Sequence, residues 1–175
     1  MTESRDEAEF LERARSAEPG AITELYERFG DTVYRIGYRL TQSSADAEDV
    51  LQDVFLGLPR ALLTYEGRGS LEGWVKRVAV RTTLMKLRLQ KRKAEISLDQ
   101  VPETSGVRGT SSPTDRMELE DALAALPQVL RTVFTMREIE GYSHDEIGEM
   151  LGIGRGASRV RLHRARRLLR EFLEE

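Results

Sequence analysis

Apolar residues recur at helical spacing through most of the chain. Leu25, Phe29, Val33, Ile36 and Leu40 follow one another by three or four positions, which puts them on one side of a helix. Ala47, Val50, Leu51, Val54, Phe55 and Leu58 repeat the pattern. Leu71, Trp74, Val75, Val78, Thr82, Met85 and Leu89 form a third stripe, on a helix expected to end near Arg92. A shorter helix with Phe10, Leu11 and Ala14 on one side is expected before these. No sustained alternation of strand type appears, so the predicted class is all-α.

The pattern breaks at residues 94–116, AEISLDQVPETSGVRGTSSPTDR, where Ser, Thr, Gly and Pro accumulate. This composition reads as a linker between two small helical domains, 1–93 and 117–175. Fully extended it would reach roughly 75–80 Å, and as a relaxed coil its ends would lie about 26 Å apart. Near its end, Ser112, Pro113, Thr114 and Asp115 have the order of a helix start: a capping hydroxyl, a first-turn proline and an acid near the dipole. Leu119, Ala122, Leu123 and Leu126 follow, and Pro127 opens a helix carrying Val129, Leu130, Val133 and Phe134.

The C-terminal residues hold a more specific pattern. Glu140-Gly141-Tyr142 closes one helix, and Ser143-His144-Asp145-Glu146 has the spacing of a capping box. A short helix with Ile147, Met150 and Leu151 on its inner side ends at Leu151-Gly152-Ile153-Gly154, where Gly152 can take positive φ. An Arg-rich helix then runs from Arg155 to about Leu173, with Val160, Leu162, Ala165, Leu168, Leu169 and Phe172 available to pack. Short helix, glycine turn and basic helix are the parts of a helix-turn-helix. In that motif Arg155, Ser158 and Arg159 would meet base edges, while Arg161, Arg164, Arg166 and Arg167 would lie farther along, against phosphate or acidic neighbours, and His163 against phosphate or solvent. An amphipathic helix with solvated arginines would share the charge but not the turn and the capping box.

Composition narrows the class. Of 175 residues, 39% are hydrophobic and 33% charged, and no apolar run approaches the roughly 20 residues of a membrane span. MTESRDEAEF contains no apolar signal segment, so a cytoplasmic protein without membrane insertion is expected. The absence of Cys and the presence of only two His, His144 and His163, leave no metal spacing. No phosphate-cradling Gly loop is present either, so neither a cofactor nor an enzyme is expected. His144, after the capping Ser, is expected to be exposed. The net charge of −3 conceals segregation: residues 1–53 carry −7, 54–93 carry +8, 117–153 carry −6 and 154–175 carry +4. Residues 74–93 contain eight basic side chains and no acidic one, which suits a polyanion.

These residues together resemble a bacterial extracytoplasmic-function sigma factor, the small branch of the sigma-70 family that keeps only regions two and four. The resemblance rests on LYERFGDTVYRIGYRLTQSSADAEDVLQDVFL (25–56), TYEGRGSLEGWVKRVAVRTTLMKLRLQKRK (64–93) and LAALPQVLRTVFTMREIEGYSHDEIGEMLGIGRGASRVRLHRARRLLREF (123–172). DAEDVLQDVF and LHRAR, in this order and spacing, carry most of it. The sequence departs from the family's habit in three places. Glu66-Gly67-Arg68 reverses a frequent loop order, Gly73 falls inside an expected helix, and Gly154 and Ala157 stand where Ser and Thr are commoner.

The resemblance implies partners that periodicity does not. On spacing alone, Glu48, Asp49, Gln52 and Asp53 form a solvated acidic face. By resemblance, Asp46, Glu48, Asp49, Gln52, Asp53 and Phe55 dock on the β′ clamp helices of core RNA polymerase, with the β subunit as a further contact. Residues 64–93 would capture the displaced strand of the downstream promoter element through a loop with Tyr65 and Arg68 and a helix with Lys76, Arg77, Arg81, Lys86 and Arg88. Tyr65 is the candidate stacking ring, whereas Trp74 lies in the apolar stripe and is expected in the core. The helix-turn-helix would read the upstream promoter element, and an anti-sigma protein is the further partner implied. A stand-alone helix-turn-helix regulator binding an operator as a dimer is the competing reading. It needs a dimer interface, for which no long heptad is present, and it leaves DAEDVLQDVF without a role.

Overall fold

A computed structural model describes residues 2–96 and 115–174. Its elements are α1 (Thr2–Arg15), α2 (Pro19–Thr41), α3 (Ser44–Leu62), α4 (Leu71–Ile96), α5 (Asp115–Ala125), α6 (Gln128–Phe134), a π-helical turn (Thr135–Ile139), α7 (His144–Leu151) and α8 (Arg155–Leu173). No strand occurs among the described residues. The chain divides into two compact units, Met1–Tyr38 with Ser43–Lys86, and Arg39–Gln42 with Leu87–Glu175. Residues 97–114, including the expected cap at Ser112 and most of the expected linker, lie outside the described residues.

The first unit is built from amphipathic stripes. The α2 stripe, Leu25, Phe29, Val33, Ile36 and Leu40, is buried throughout. Along α3, Ala47, Val50, Val54, Phe55, Leu58 and Leu62 point inward. Burying an aliphatic side chain of this size contributes roughly 1.5–3 kcal/mol each before the entropy cost. Ser43 starts α3 by accepting the Asp46 amide on its hydroxyl. The helix carries Pro59 in its last turn. Gly37 lets α2 approach α3, since a Cβ there would stand 3.2 Å from Ala47 Cα. Phe10 and Ala14 of α1 are buried, and the Arg28 guanidinium lies over the Phe10 and Phe29 rings at 5.4 and 5.2 Å.

Helix α4 differs from expectation in length and phase. It continues to Ile96, so residues 94–96 belong to a helix rather than to a linker. Its core side is Leu71, Val75, Ala79, Val80, Thr83 and Leu84, whereas Met85 and Leu89 are exposed. Two equally spaced apolar rows exist on this helix, and the packing uses the one with the small residues Ala79 and Thr83. Thr83 is tolerated inside because its hydroxyl donates to the Ala79 carbonyl at 2.8 Å. Gly73 sits in the first turn, where its amide donates to Ser70 Oγ at 3.1 Å.

The second unit has its own core, Ala122, Leu123, Leu126, Leu130, Ala165 and Leu169, with Phe134, Ile139 and Leu168 packed against it. Leu119, Val129, Val160 and Phe172 were expected among these but are exposed. Arg131 is buried instead, and its Nη1 donates to the carbonyls of Leu126 at 2.9 Å and Ala124 at 3.4 Å. It thereby satisfies acceptors at the end of α5, although burial lowers its pKa. Between α7 and α8 the chain turns at Gly152, φ 65°, and the Ile153 amide donates back to Gly148 O at 3.0 Å. A Cβ on Gly148 would stand 2.8 Å from Ile153 O, a backbone atom that cannot swing aside. Gly148→Ala should therefore destabilise the second unit by about 1–3 kcal/mol. Thermal unfolding followed by circular dichroism checks this, and an unchanged transition would mean that the turn is not closely packed.

Candidate functional site

The buried stripe of α3 forces its other side outward. Glu48, Asp49, Gln52 and Asp53 are exposed, and Leu56 beside them is 82% exposed. Asp46 is half-buried. Phe55, which spacing put in the apolar stripe and resemblance on the docking face, is in the core, with its ring 5.1 Å from Tyr26 in an edge arrangement. Ring area is more favourably buried than exposed, and Leu58 and Val54 already commit that side of the helix inward. Ile22, Tyr26 and Tyr34 of α2 face Leu51, Phe55 and Leu56 of α3 across an open groove of about 800 Å³. Asp31, Glu48 and Gln52 line the same groove, so the acidic face borders a trough of mixed polarity.

Lys86 was expected on the DNA side. The structure places its Nζ 2.8 Å from Asp49 and 3.4 Å from Asp46. These bonds, Asp49's first, hold the ammonium above its usual pKa range. Its charge is spent on the acidic helix, and α4 offers Arg77, Arg81 and Arg88 as its exposed cations before Lys91, Arg92 and Lys93. Lys76 is half-buried and pairs with Glu72 at 2.8 Å, which lowers the Glu72 pKa. Arg68 is exposed and pairs with Glu66 at 3.1 Å.

The loop between α3 and α4 is ordered from within. Tyr65, expected as an available stacking ring, is buried; its hydroxyl donates to Gly69 O at 3.1 Å and its ring lies 5.3 Å from Trp74. Trp74 is the more open of the two, half-buried rather than enclosed. Gly67 and Gly69 take φ of 71° and 81°, a region that side chains rarely enter. Arg15 of α1 joins the loop by donating to Leu62 O at 3.0 Å and Tyr65 O at 3.1 Å. Sequence reasoning missed Arg15, because nothing local relates it to a loop some fifty residues on.

In the second unit, Ser143 and Glu146 form the reciprocal capping box. Gly154 caps α8, and Arg155, Arg159, His163, Arg164 and Arg166 are exposed along it, with Arg161 half-buried. Arg155 lies 3.5 Å from Asp145, and Arg166 is 2.7 Å from Glu138. Ser158, expected at base edges, is buried, with its hydroxyl 2.9 Å from His144 Nδ1. The pair ties α7 to α8 and corrects the expectation of an exposed His144. Burial above all, then Arg137, Arg159, Arg155 and Arg166, pushes the imidazole below its ordinary 6.5.

One unit carries a short helix and an Arg-bearing helix joined by a glycine turn, and the other carries an acidic helix and a basic one. Residues 25–93 match sigma-70 region 2, and residues 116–169 match sigma-70 region 4. The ECF RNA polymerase sigma factor SigE of Mycolicibacterium smegmatis is 34% identical over 86% of this chain, which spans 60% of that protein's length. The RNA polymerase sigma factor CarQ of Myxococcus xanthus is 32% identical over 94% of this chain and 96% of its own length. In fold, the chain is similar to the sigma factor RpoE solved with the anti-sigma factor NepR from Bartonella quintana. The TM-score is 0.62 at 19% identity, covering 87% of this chain and 96% of that one. It is also similar to CnrH solved with the cytosolic domain of CnrY, with a TM-score of 0.54 at 22% identity over 94% of this chain and 95% of that one. The chain belongs to the sigma-70 family, in its ECF branch. Among the described residues no cluster of His, Asp and Glu could hold a metal ion, and no helix is long and apolar enough to cross a membrane.

The His144 bond predicts a pH response. Because the folded state disfavours the imidazolium, its contribution is complete above about 6.5 and is lost as pH falls through the lowered folded value. The stability of the full chain should therefore decline between pH 7 and 5.5, a window above the carboxylate range. Replacing His144 by Gln should flatten that decline, as read from urea midpoints at each pH. An identical slope in wild type and variant would show that His144 does not titrate with folding.

Proposed function

We infer that the protein is a dissociable initiation subunit that directs core RNA polymerase to promoters and helps open them. The observation that carries this reading is the presence in one chain of two unlike surfaces. One is an exposed acidic helix face beside a groove partly lined by aromatic and aliphatic side chains; the other is a helix-turn-helix presenting Arg155 and Arg159. An operator-binding regulator would account for the second surface only. In the division of labour proposed, helices α1–α4 dock on polymerase and hold melted strand, the residues between α4 and α5 tether, and helices α5–α8 read duplex.

On the docking side, Glu48, Gln52 and Asp53, with Asp46 and Asp49 behind them, would meet a basic helical partner such as the β′ clamp helices, and Leu51, Phe55 and Leu56 would supply apolar contact. On the DNA side, the loop after α3 and Arg77, Arg81 and Arg88 would hold the displaced strand, with backbone cations making the affinity salt-dependent. Arg155 and Arg159 would read bases in the upstream element, while Arg161, His163, Arg164 and Arg166 would contact phosphate. The protein forms no covalent bond, needs no cofactor in this scheme and works in the cytoplasm. Of the two solved structures similar in fold, one is a sigma factor bound to an anti-sigma factor and the other is CnrH bound to the cytosolic domain of CnrY; an anti-sigma partner is proposed here by likeness to the first.

Two measurements test the scheme. Asp49 already pairs with Lys86, so reversing it would disturb α4 as well. Glu48→Lys with Asp53→Lys is the cleaner pair, and it should weaken binding to core polymerase about 100-fold or more while helicity stays intact, since like charges at an interface cost several kcal/mol. Undiminished binding would remove the docking assignment. On the duplex side, Arg159→Ala should lose about 1–3 kcal/mol of base discrimination at one or two upstream positions. Transcription from a library of upstream elements reads this out, and a uniform loss across all sequences would make Arg159 a phosphate contact instead.

A further inference from the structure

Helix α1 ends against the strand-capture loop, and the atoms in contact are specific. Arg15, in its last turn, directs Nε to Leu62 O at 3.0 Å and Nη2 to Tyr65 O at 3.1 Å. Leu62 is the final residue of α3, and its carbonyl also accepts the Tyr65 amide at 3.2 Å. A guanidinium at this place gives the Leu62 carbonyl a second, charged donor and faces the negative end of the helix dipole. Its planar fork lets one side chain grip two acceptors three residues apart, which an ammonium on a flexible stem does not do. From Tyr65 the order continues: the phenol donates to Gly69 O, and the ring lies against Trp74 in the first turn of α4. Arg15, Tyr65 and Gly69 therefore form one chain of hydrogen bonds from α1 to the far end of the loop. The segment so held contains Gly67 and Gly69 in the left-handed region, a shape with no regular secondary structure to maintain it.

We propose that α1 is a positioning element for the loop and that Arg15 is its working residue, setting the shape in which the loop receives an unstacked nucleotide. The proposal rests on the reading of this loop as a strand-capture site. Arg15 touches no DNA in this scheme. It acts through Tyr65, whose ring is spent on packing and whose hydroxyl fixes the Gly69 carbonyl. A pocket for an extruded base must be formed before the base arrives, since unstacking already costs free energy.

The test uses the full-length protein assembled with core RNA polymerase. A single-stranded DNA oligomer is first selected from a random pool on the wild-type holoenzyme, with core alone as the counter-selection. Arg15→Ala, Arg15→Lys, Tyr65→Phe and the double variant Arg15→Ala with Tyr65→Phe are then compared for affinity to that oligomer and to its scrambled form, across a salt series. Each Arg15 variant should bind the selected strand about 10-fold more weakly, the loss expected for a charge-assisted hydrogen bond. The scrambled strand should be little affected, the salt slope should match wild type, and core affinity should not change. Lys should fail nearly as Ala does, because the fork rather than the charge is required. The double variant should lose no more than the worse single variant, since both act through one loop. A salt slope reduced by about one would make Arg15 a phosphate contact and overturn the proposal. Parallel losses for core, selected and scrambled strands would overturn it in favour of a purely structural role, and the milder Tyr65→Phe variant guards that conclusion against simple misfolding. Unchanged selectivity in all variants would refute it directly. If the wild-type holoenzyme selects no strand over core alone, the strand-capture reading itself falls, and the proposal with it.

Discussion

The amphipathicity of α3 is the constraint on which the first unit depends. A helix of 3.6 residues per turn that buries Val50, Val54, Leu58 and Leu62 has no choice about where Glu48, Asp49, Gln52 and Asp53 go. The acidic face is therefore a by-product of the core as much as a surface of its own. Its cost is a concentration of negative charge along one side, and the fold offsets part of it with Lys86 from α4. Of the two pairs, the one with exposed Asp49 contributes little to stability in water, about 0–1 kcal/mol. The value of Lys86 lies in orienting the two carboxylates and in linking the acidic helix to the basic one.

The ends of helices carry the remaining organisation. Arg15 serves the end of α3, Arg131 the end of α5, Ser43 and Ser143 the starts of α3 and α7, and Gly152 the end of α7. Arg15 and Arg131 are cations set against carbonyls at helix ends, where the backbone dipoles favour positive charge. Burial of Arg131 is costly unless its donors are used; Nη1 bonds two main-chain oxygens, while the buried Nε has no partner. In a chain whose arginines are mostly read as nucleic-acid contacts, these two act internally. Counting cations therefore overstates the surface offered to a polyanion.

The helix-turn-helix shows the same division between support and contact. Ser158 and His144 hold α7 and α8 in register from inside, while Arg155 and Arg159 remain on the outside. Alternation on a helix decides this: Ser158 shares the inward side with Leu162, Ala165 and Leu169, and its neighbour Arg159 is turned about 100° away. Arg155 and Arg159 are thus presented by a packed pair of helices rather than by a loop.

Much was legible in the chain itself. The helical class, the stripes of α2 and α3, the capping box at Ser143 and the turn at Gly152 follow from local spacing and local chemistry, and local rules operate without knowledge of the rest of the fold. The acidic and Arg-bearing faces were legible for the same reason, since periodicity assigns faces. Partners at long range were not. Two apolar rows compete on α4, and only the packing selects Ala79 and Thr83 over Met85 and Leu89. Lys86 and Arg77 look alike in sequence, yet one faces Asp49 and the other is exposed. Tyr65 is buried and Trp74 only half-buried, the reverse of the expected order, because a hydroxyl that reaches Gly69 can be buried. Arg15 meets Tyr65 across a separation that no local pattern encodes. Each of these was decided by which side chains arrive at the same place, and that is a property of the tertiary structure alone.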